Sequence, residues 1–140
     1  MSVSVRKITL WRAEIDNLPG TLAATLAPLA AAGADLQVVM GYRIPGRESK
    51  AVVEVYPVTG KKVTAAAQSA GLGGVAFPAL LVQGDNEPGL GHKLSQAIAG
   101  AGINLSFFVA QVIEGRYSAV IGLDNDEDAK KVTSIARKLR

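Results

Sequence analysis

A chain of 140 residues, 49% hydrophobic and 19% charged, has the composition of a globular protein, not of a disordered one. It contains no cysteine, which excludes disulfide scaffolds and thiolate chemistry, and its single histidine, His92, leaves no cluster for a metal. The net charge of +3 comes mainly from Lys130, Lys131, Arg137, Lys138 and Arg140, which read as the solvated end of a helix, so nucleic-acid contact is not expected.

In chain order, Val5–Ile15 opens with alternation of Ile8 and Leu10 against Lys7 and Thr9, which predicts one strand. Asp16 to Pro19 breaks it. From Gly20 the spacing becomes helical, with Leu22, Leu26, Leu29 and Ala30 on one face, and Gly33 closes the helix as a left-handed cap. A strand over Leu36–Arg43, a polar turn over Ile44–Glu48 and a strand over Ala51–Tyr56 follow, with Val53 and Val55 on one face and Glu54 and Tyr56 on the other. An Ala-rich helix over Lys61–Ala70 then meets Gly71, Gly73 and Gly74, which read as a linker. The second half repeats the order: a strand over Ala76–Gln83, a helix over Gly89–Gly100, a strand over Asn104–Ile113, a tight Glu114-Gly115 turn, a strand over Arg116–Leu123 and a helix over 126–139. No run of 18 apolar residues and no basic-then-apolar leader stands in the chain, so no membrane span is expected and a soluble, cytoplasmic protein is.

The repetition is explicit in the letters. Asp16-Asn17-Leu18-Pro19-Gly20 recurs as Asp85-Asn86-Glu87-Pro88-Gly89, and Ala30, Ala32, Gly33 and Leu36 recur as Ala99, Ala101, Gly102 and Leu105. Two tandem modules, residues 1–73 and 74–140, are therefore expected. Each reads strand–helix–strand–strand–helix, which a fourth strand completes to the ferredoxin-like βαββαβ plait, an α+β fold with two helices on one face of an antiparallel sheet. The second module has no obvious fourth strand, because only Arg140 follows its last helix. Strand 104–113 is apolar on both faces, with Phe107 and Val109 on one and Phe108, Ala110 and Val112 on the other. Cover by the sister module or a second subunit is expected.

Catalytic chemistry finds little to work with. No Ser-His-acid set, phosphate-cradling Gly-x-x-x-x-Gly-Lys or aromatic stacking platform stands in the sequence. His92 reads as a solvated helix residue. Asp16 and Asp85 read first as turn residues that cap the helices after them.

The segments 16–36 and 85–105 resemble the ACT domain family, whose hallmark is a strand ending in an Asn/Asp-x-Pro-Gly turn, a helix, and an Ala-Gly-Ile-Asn-like entry into the next strand. The resemblance covers essentially the whole chain, twice. It implies a non-enzymatic regulatory protein that binds a small amino acid at an interface between ACT modules and signals to a partner enzyme or regulator of amino-acid metabolism, as a homodimer and without a cofactor. Carried over residue by residue, the ligand loop falls on Asp16, Asn17 and Gly20 in the first repeat and on Asp85, Asn86, Pro88 and Gly89 in the second. The polar residue opening the next strand falls on Asp35 and Asn104. The second loop is the favoured site, because Asn86 and Asn104 both match the pattern. The physics agrees: amides at a helix start suit a carboxylate, and glycine there lets a ligand approach the backbone. The alternative is a ligand-free module used for oligomerisation. An acylphosphatase-like enzyme is disfavoured because the loop after the first strand carries no arginine.

Overall fold

The computed structural model describes residues 3–139. The elements in chain order are β1 (Val3–Ile8), β2 (Trp11–Asp16), α1 (Thr21–Ala31), β3 (Val38–Ile44), β4 (Arg47–Tyr56), α2 (Lys61–Ser69), β5 (Gly73–Gly74), β6 (Ala79–Asp85), α3 (Leu90–Gly100), β7 (Phe107–Ile113), β8 (Arg116–Gly122) and α4 (Asp126–Lys138). They form two α+β units, each with a four-stranded antiparallel sheet. No helix among the described residues is long and apolar enough to cross a membrane.

One unit spans Thr9–Ala76, with strand order β3-β4-β2-β5. Its core forms where the alternating residues Ala13, Val53 and Val55 meet Leu29 of α1 and Ala67 of α2, as the periodicity predicts. The glycine segment read as a linker contributes the short strand β5, in which Gly73 and Gly74 pair with Arg12 and Trp11. Gly74 lies beside Thr9 and the Trp11 ring, at a distance where an added methyl would make ordinary contact.

The other unit joins the chain up to Ile8 with everything from Phe77 onward, in the order β1-β6-β8-β7. The missing fourth strand is thus β1, paired antiparallel to β6 from Val3↔Gly84 to Ile8↔Ala79. The single strand expected over Val5–Ile15 is two strands in different sheets, separated at Thr9-Leu10. Ile8 and Leu10 are both buried, so their alternation continues across the break and hides it from the sequence. The core of this unit includes Leu80, Val82, Leu94, Ile98, Ile121 and Val132. Here β7 is an edge strand, and Phe107 and Phe108 are half-buried while Val109, Val112 and Ile113 are exposed.

Candidate functional site

Both Pro-Gly loops join a first strand to a helix, and both are built alike. Gly20 and Gly89 are the residues preceding the helices, with φ of 87° and 83°, in the left-handed region that only glycine enters at low cost. Neither helix receives a side-chain cap there. The amides of Leu22 and Ala23, and of Gly91 and His92, therefore have no acceptor among the described residues. Pro19 and Pro88 each stand one residue ahead of these caps, outside the helices.

In the first loop, Asp16 Oδ1 accepts from Lys50 Nζ at 2.8 Å. The Asn17 amide nitrogen donates to the Ser49 carbonyl and its side-chain Nδ2 to the Glu48 carbonyl, both at 2.9 Å, which ties the loop to the β3–β4 hairpin. The Thr21 hydroxyl lies 2.7 Å from the Asp16 carbonyl and 2.9 Å from that of Leu18 and donates its single proton between them. Beside this frame lies an open groove of about 230 Å³, lined by Asp16, Asn17, Gly20, Leu22, Arg43 and Ala51 among others.

In the second loop, Asp85 Oδ1 accepts from Arg116 Nη1 at 2.7 Å, and the Asn86 amide donates to the Gly115 carbonyl at 2.9 Å. The Asn86 side chain is exposed and makes no hydrogen bond to a described residue. Glu87 pairs with Lys93 at 2.6 Å across the first turn of α3. Below the loop the space is nearly filled, leaving a void of about 20 Å³ lined by Gly84, Asp85, Leu90, Leu94 and Tyr117 among others. Tyr117 is buried, its hydroxyl has no hydrogen-bond partner among the described residues, and burial pushes its pKa up. His92 is exposed, as expected of a solvated helix residue.

The structure thus gathers Asp16, Asn17 and Gly20 around one groove, and places Asp85, Asn86, Pro88 and Gly89 in the matching loop. It does not bring Asp35 or Asn104 to them. Each lies beyond the far end of its own unit's 11-residue helix, about 16 Å along the axis, and is exposed. Sequence reasoning missed the cations that hold the two aspartates, Lys50 and Arg116. Each reaches its loop through strand register, opposite its aspartate in the sheet. It also missed a buried acid. Glu54, 4% exposed, accepts from the Tyr42 hydroxyl at 2.6 Å, and Arg12 stands opposite it in the sheet. Burial, this hydrogen bond and the Glu54 charge push the Tyr42 pKa up to about 12, against a smaller opposing pull from Arg12.

Known structures share this architecture across their full length. The regulatory subunit of aspartate kinase from Thermus thermophilus aligns over 97% of this chain and 95% of its own, at 19% identity and a TM-score of 0.64. A protein from Bacteroides thetaiotaomicron aligns over 96% and 99%, at 14% identity and a TM-score of 0.72. The fold is a tandem pair of ACT modules. The corresponding aspartate kinase subunit from Thermus flavus has the same tandem ACT fold, at 19% identity over 97% of each chain and a TM-score of 0.60. No protein-family model and no curated protein matches the sequence. At these identities the likeness establishes the tandem ACT fold and leaves chemistry to be argued from the loops.

Proposed function

We propose that this tandem ACT protein is a non-enzymatic regulator that binds a small amino acid at its Pro-Gly loops and signals to a partner enzyme of amino-acid metabolism. The observation that carries the reading is the uncapped start of α1 and α3, where glycine stands in place of a capping side chain. Bare amides at a helix start, with the helix dipole behind them, attract a carboxylate. The open groove, with Asp16 for an ammonium and Arg43 for a carboxylate, supports entry at the first loop. The free Asn86 side chain, with both a donor and an acceptor, supports the second. The aspartate kinase subunits of like fold are named as regulatory, which supports the choice of partner. The exposed Val109, Val112 and Ile113 on edge strand β7 support a homodimer, since unpaired apolar edges recruit a second strand.

Titration calorimetry of the full chain against the twenty amino acids tests the reading. One or a few ligands should bind, and Gly20→Ala and Gly89→Ala should each weaken the site they belong to by tenfold or more. A methyl at either glycine meets nothing within 4 Å of the free protein, so its steric effect falls on the ligand. The left-handed backbone adds a stability cost of about 1–2 kcal/mol, read separately by thermal melting. A second reading, a ligand-free oligomerisation module, draws on the ion pairs that already occupy Asp16 and Asp85. Silence from all twenty amino acids would establish it over the first.

A further inference from the structure

We propose that the groove between the open edge of β1 and helix α4 docks an extended acidic segment of a partner polypeptide, which adds to the sheet as a further strand. Among the described strands β1 pairs only with β6. In an antiparallel pair each residue turns its N–H and C=O to the same side, and neighbours alternate. The Val5 carbonyl turns away from β6, because Arg137 Nη2 reaches it at 3.5 Å. Val3, Val5 and Lys7 therefore offer their backbone groups outward, the row that an added strand satisfies.

The walls of the groove set the charge of that strand. The space is about 360 Å³, lies within this one unit, and has Val5, Leu80 and Ala129 as its apolar floor. Lys130, Ser134 and Arg137, spaced four and three apart, form one stripe of α4 along it, with Lys7 on the facing strand. Three cations stand against a single carboxylate, Asp126, which Lys7 already pairs at 2.7 Å. The Lys130 side chain makes no hydrogen bond or ion pair with a described residue, although, after the Lys7 hydrogen bond and charge, its own charge helps to hold the Asp126 pKa down. Side chains on one face of a strand recur every two residues, about 7 Å, and the stripe from Lys130 to Arg137 spans about 10 Å. Two acids separated by one residue on the incoming strand fit that span. A nucleic acid or free phosphate would use the cations but leave the outward peptide groups and apolar floor unmatched, so a polypeptide fits better. This inference does not depend on the ligand loops.

The test is fluorescence anisotropy of the full chain with a short labelled peptide alternating Glu with Thr, at low salt. The peptide should bind, the same peptide with Lys for Glu should not, and methylation of its alternate backbone nitrogens should weaken it at least tenfold. Lys130→Glu and the pair Lys130→Glu/Arg137→Glu should weaken it by similar factors. Both side chains are exposed, and the single variant, which leaves the Arg137–Val5 contact in place, should melt like wild type. No binding would overturn the proposal and leave Lys7 and Arg137 as guards that keep the edge unpaired. Binding unaffected by methylation or charge reversal, or tight binding of a short RNA in place of the peptide, would overturn it too.

Discussion

The two modules share strand order and loop chemistry but fill the space under the loop from opposite sides. Asp16 stands across from Lys50 as Asp85 stands across from Arg116, so Tyr117 occupies the place of Ala51. The repeat spacing sets Gly91 against Leu22 and Gly84 against Ile15. In the first module the helix and first strand supply the bulk and the third strand yields with Ala51. In the second the third strand supplies Tyr117, and Gly84 and Gly91 yield. The hairpin shows a second exchange, with Val38 opposite Tyr56 in one module and Phe107 opposite Gly122 in the other. What recurs between the modules is the set of residues that dictate backbone shape. Packing residues trade volume across the sheet, as cores tolerate when total volume is kept. The trade shapes the space beside each loop, since it leaves a groove of about 230 Å³ in one module and a void of about 20 Å³ in the other.

The hairpin exchange can be broken most severely at Gly122. The Phe107 ring lies directly on it, and a methyl there would overlap the ring at Cε2 and Cδ2. Gly122→Ala should cost about 3 kcal/mol, at the upper end for overpacking. Adding Phe107→Val, which supplies the residue of the other module, should recover most of the loss. Denaturant unfolding of the two single variants and the double variant checks the coupling. Additive losses would mean that the ring and the glycine do not compensate each other.

Under the loop, the second module carries the cost of its arrangement. The Tyr117 hydroxyl is buried without a partner among the described residues, and an unmade hydrogen bond costs about 1–3 kcal/mol. Tyr117→Phe should therefore raise stability by about 1 kcal/mol, seen as a higher Tm. A lower Tm would show that the hydroxyl is satisfied in solution, since a void of about 20 Å³ can hold one water.

These exchanges explain what the sequence made legible. Asp16, Pro19 and Gly20, with their counterparts, dictate a turn through backbone chemistry that reads directly from the letters, and so did the left-handed caps at Gly33 and Gly102. Of the α1 face read from Leu22, Leu26, Leu29 and Ala30, Leu29 is buried and Leu26 half-buried, while Leu22 and Ala30 are exposed, so that face was legible in part. The strand exchange was not. Alternation through Ile8 and Leu10 reports that both are buried but not against which sheet. Nor was β5, because Gly73 and Gly74 carry no pattern and are placed by Trp11 and Arg12. The loop residues of the candidate site followed from the repeat. Lys50, Arg116 and Tyr117 did not, because they reach the site through strand register, which fixes pairings between residues more than thirty apart.

The smallest expected effect concerns an asymmetry of charge. Strand register gives Val120 and Gln111 the places that Glu54 and Tyr42 hold in the first module, so the phenol–carboxylate pair belongs to that module alone. Tyr42 carries a folded pKa of about 12 against an ordinary value of 10.0. Between those values the folded protein holds a proton that the unfolded chain has lost, so stability falls as pH rises from about 10 to about 12. The contribution is whole below pH 10, and Tyr42 is 44% exposed, so solvent screens part of it. Tyr42→Phe should lose about 1 kcal/mol at neutral pH through the hydrogen bond to Glu54 and should melt with a shallower decline above pH 10. Tyr117, also raised, adds a decline of the same sign that Tyr42→Phe leaves untouched. Thermal melts of wild type, Tyr42→Phe and Tyr117→Phe from pH 8 upward separate the two, and parallel curves for wild type and Tyr42→Phe would show that Glu54 does not hold the phenol proton.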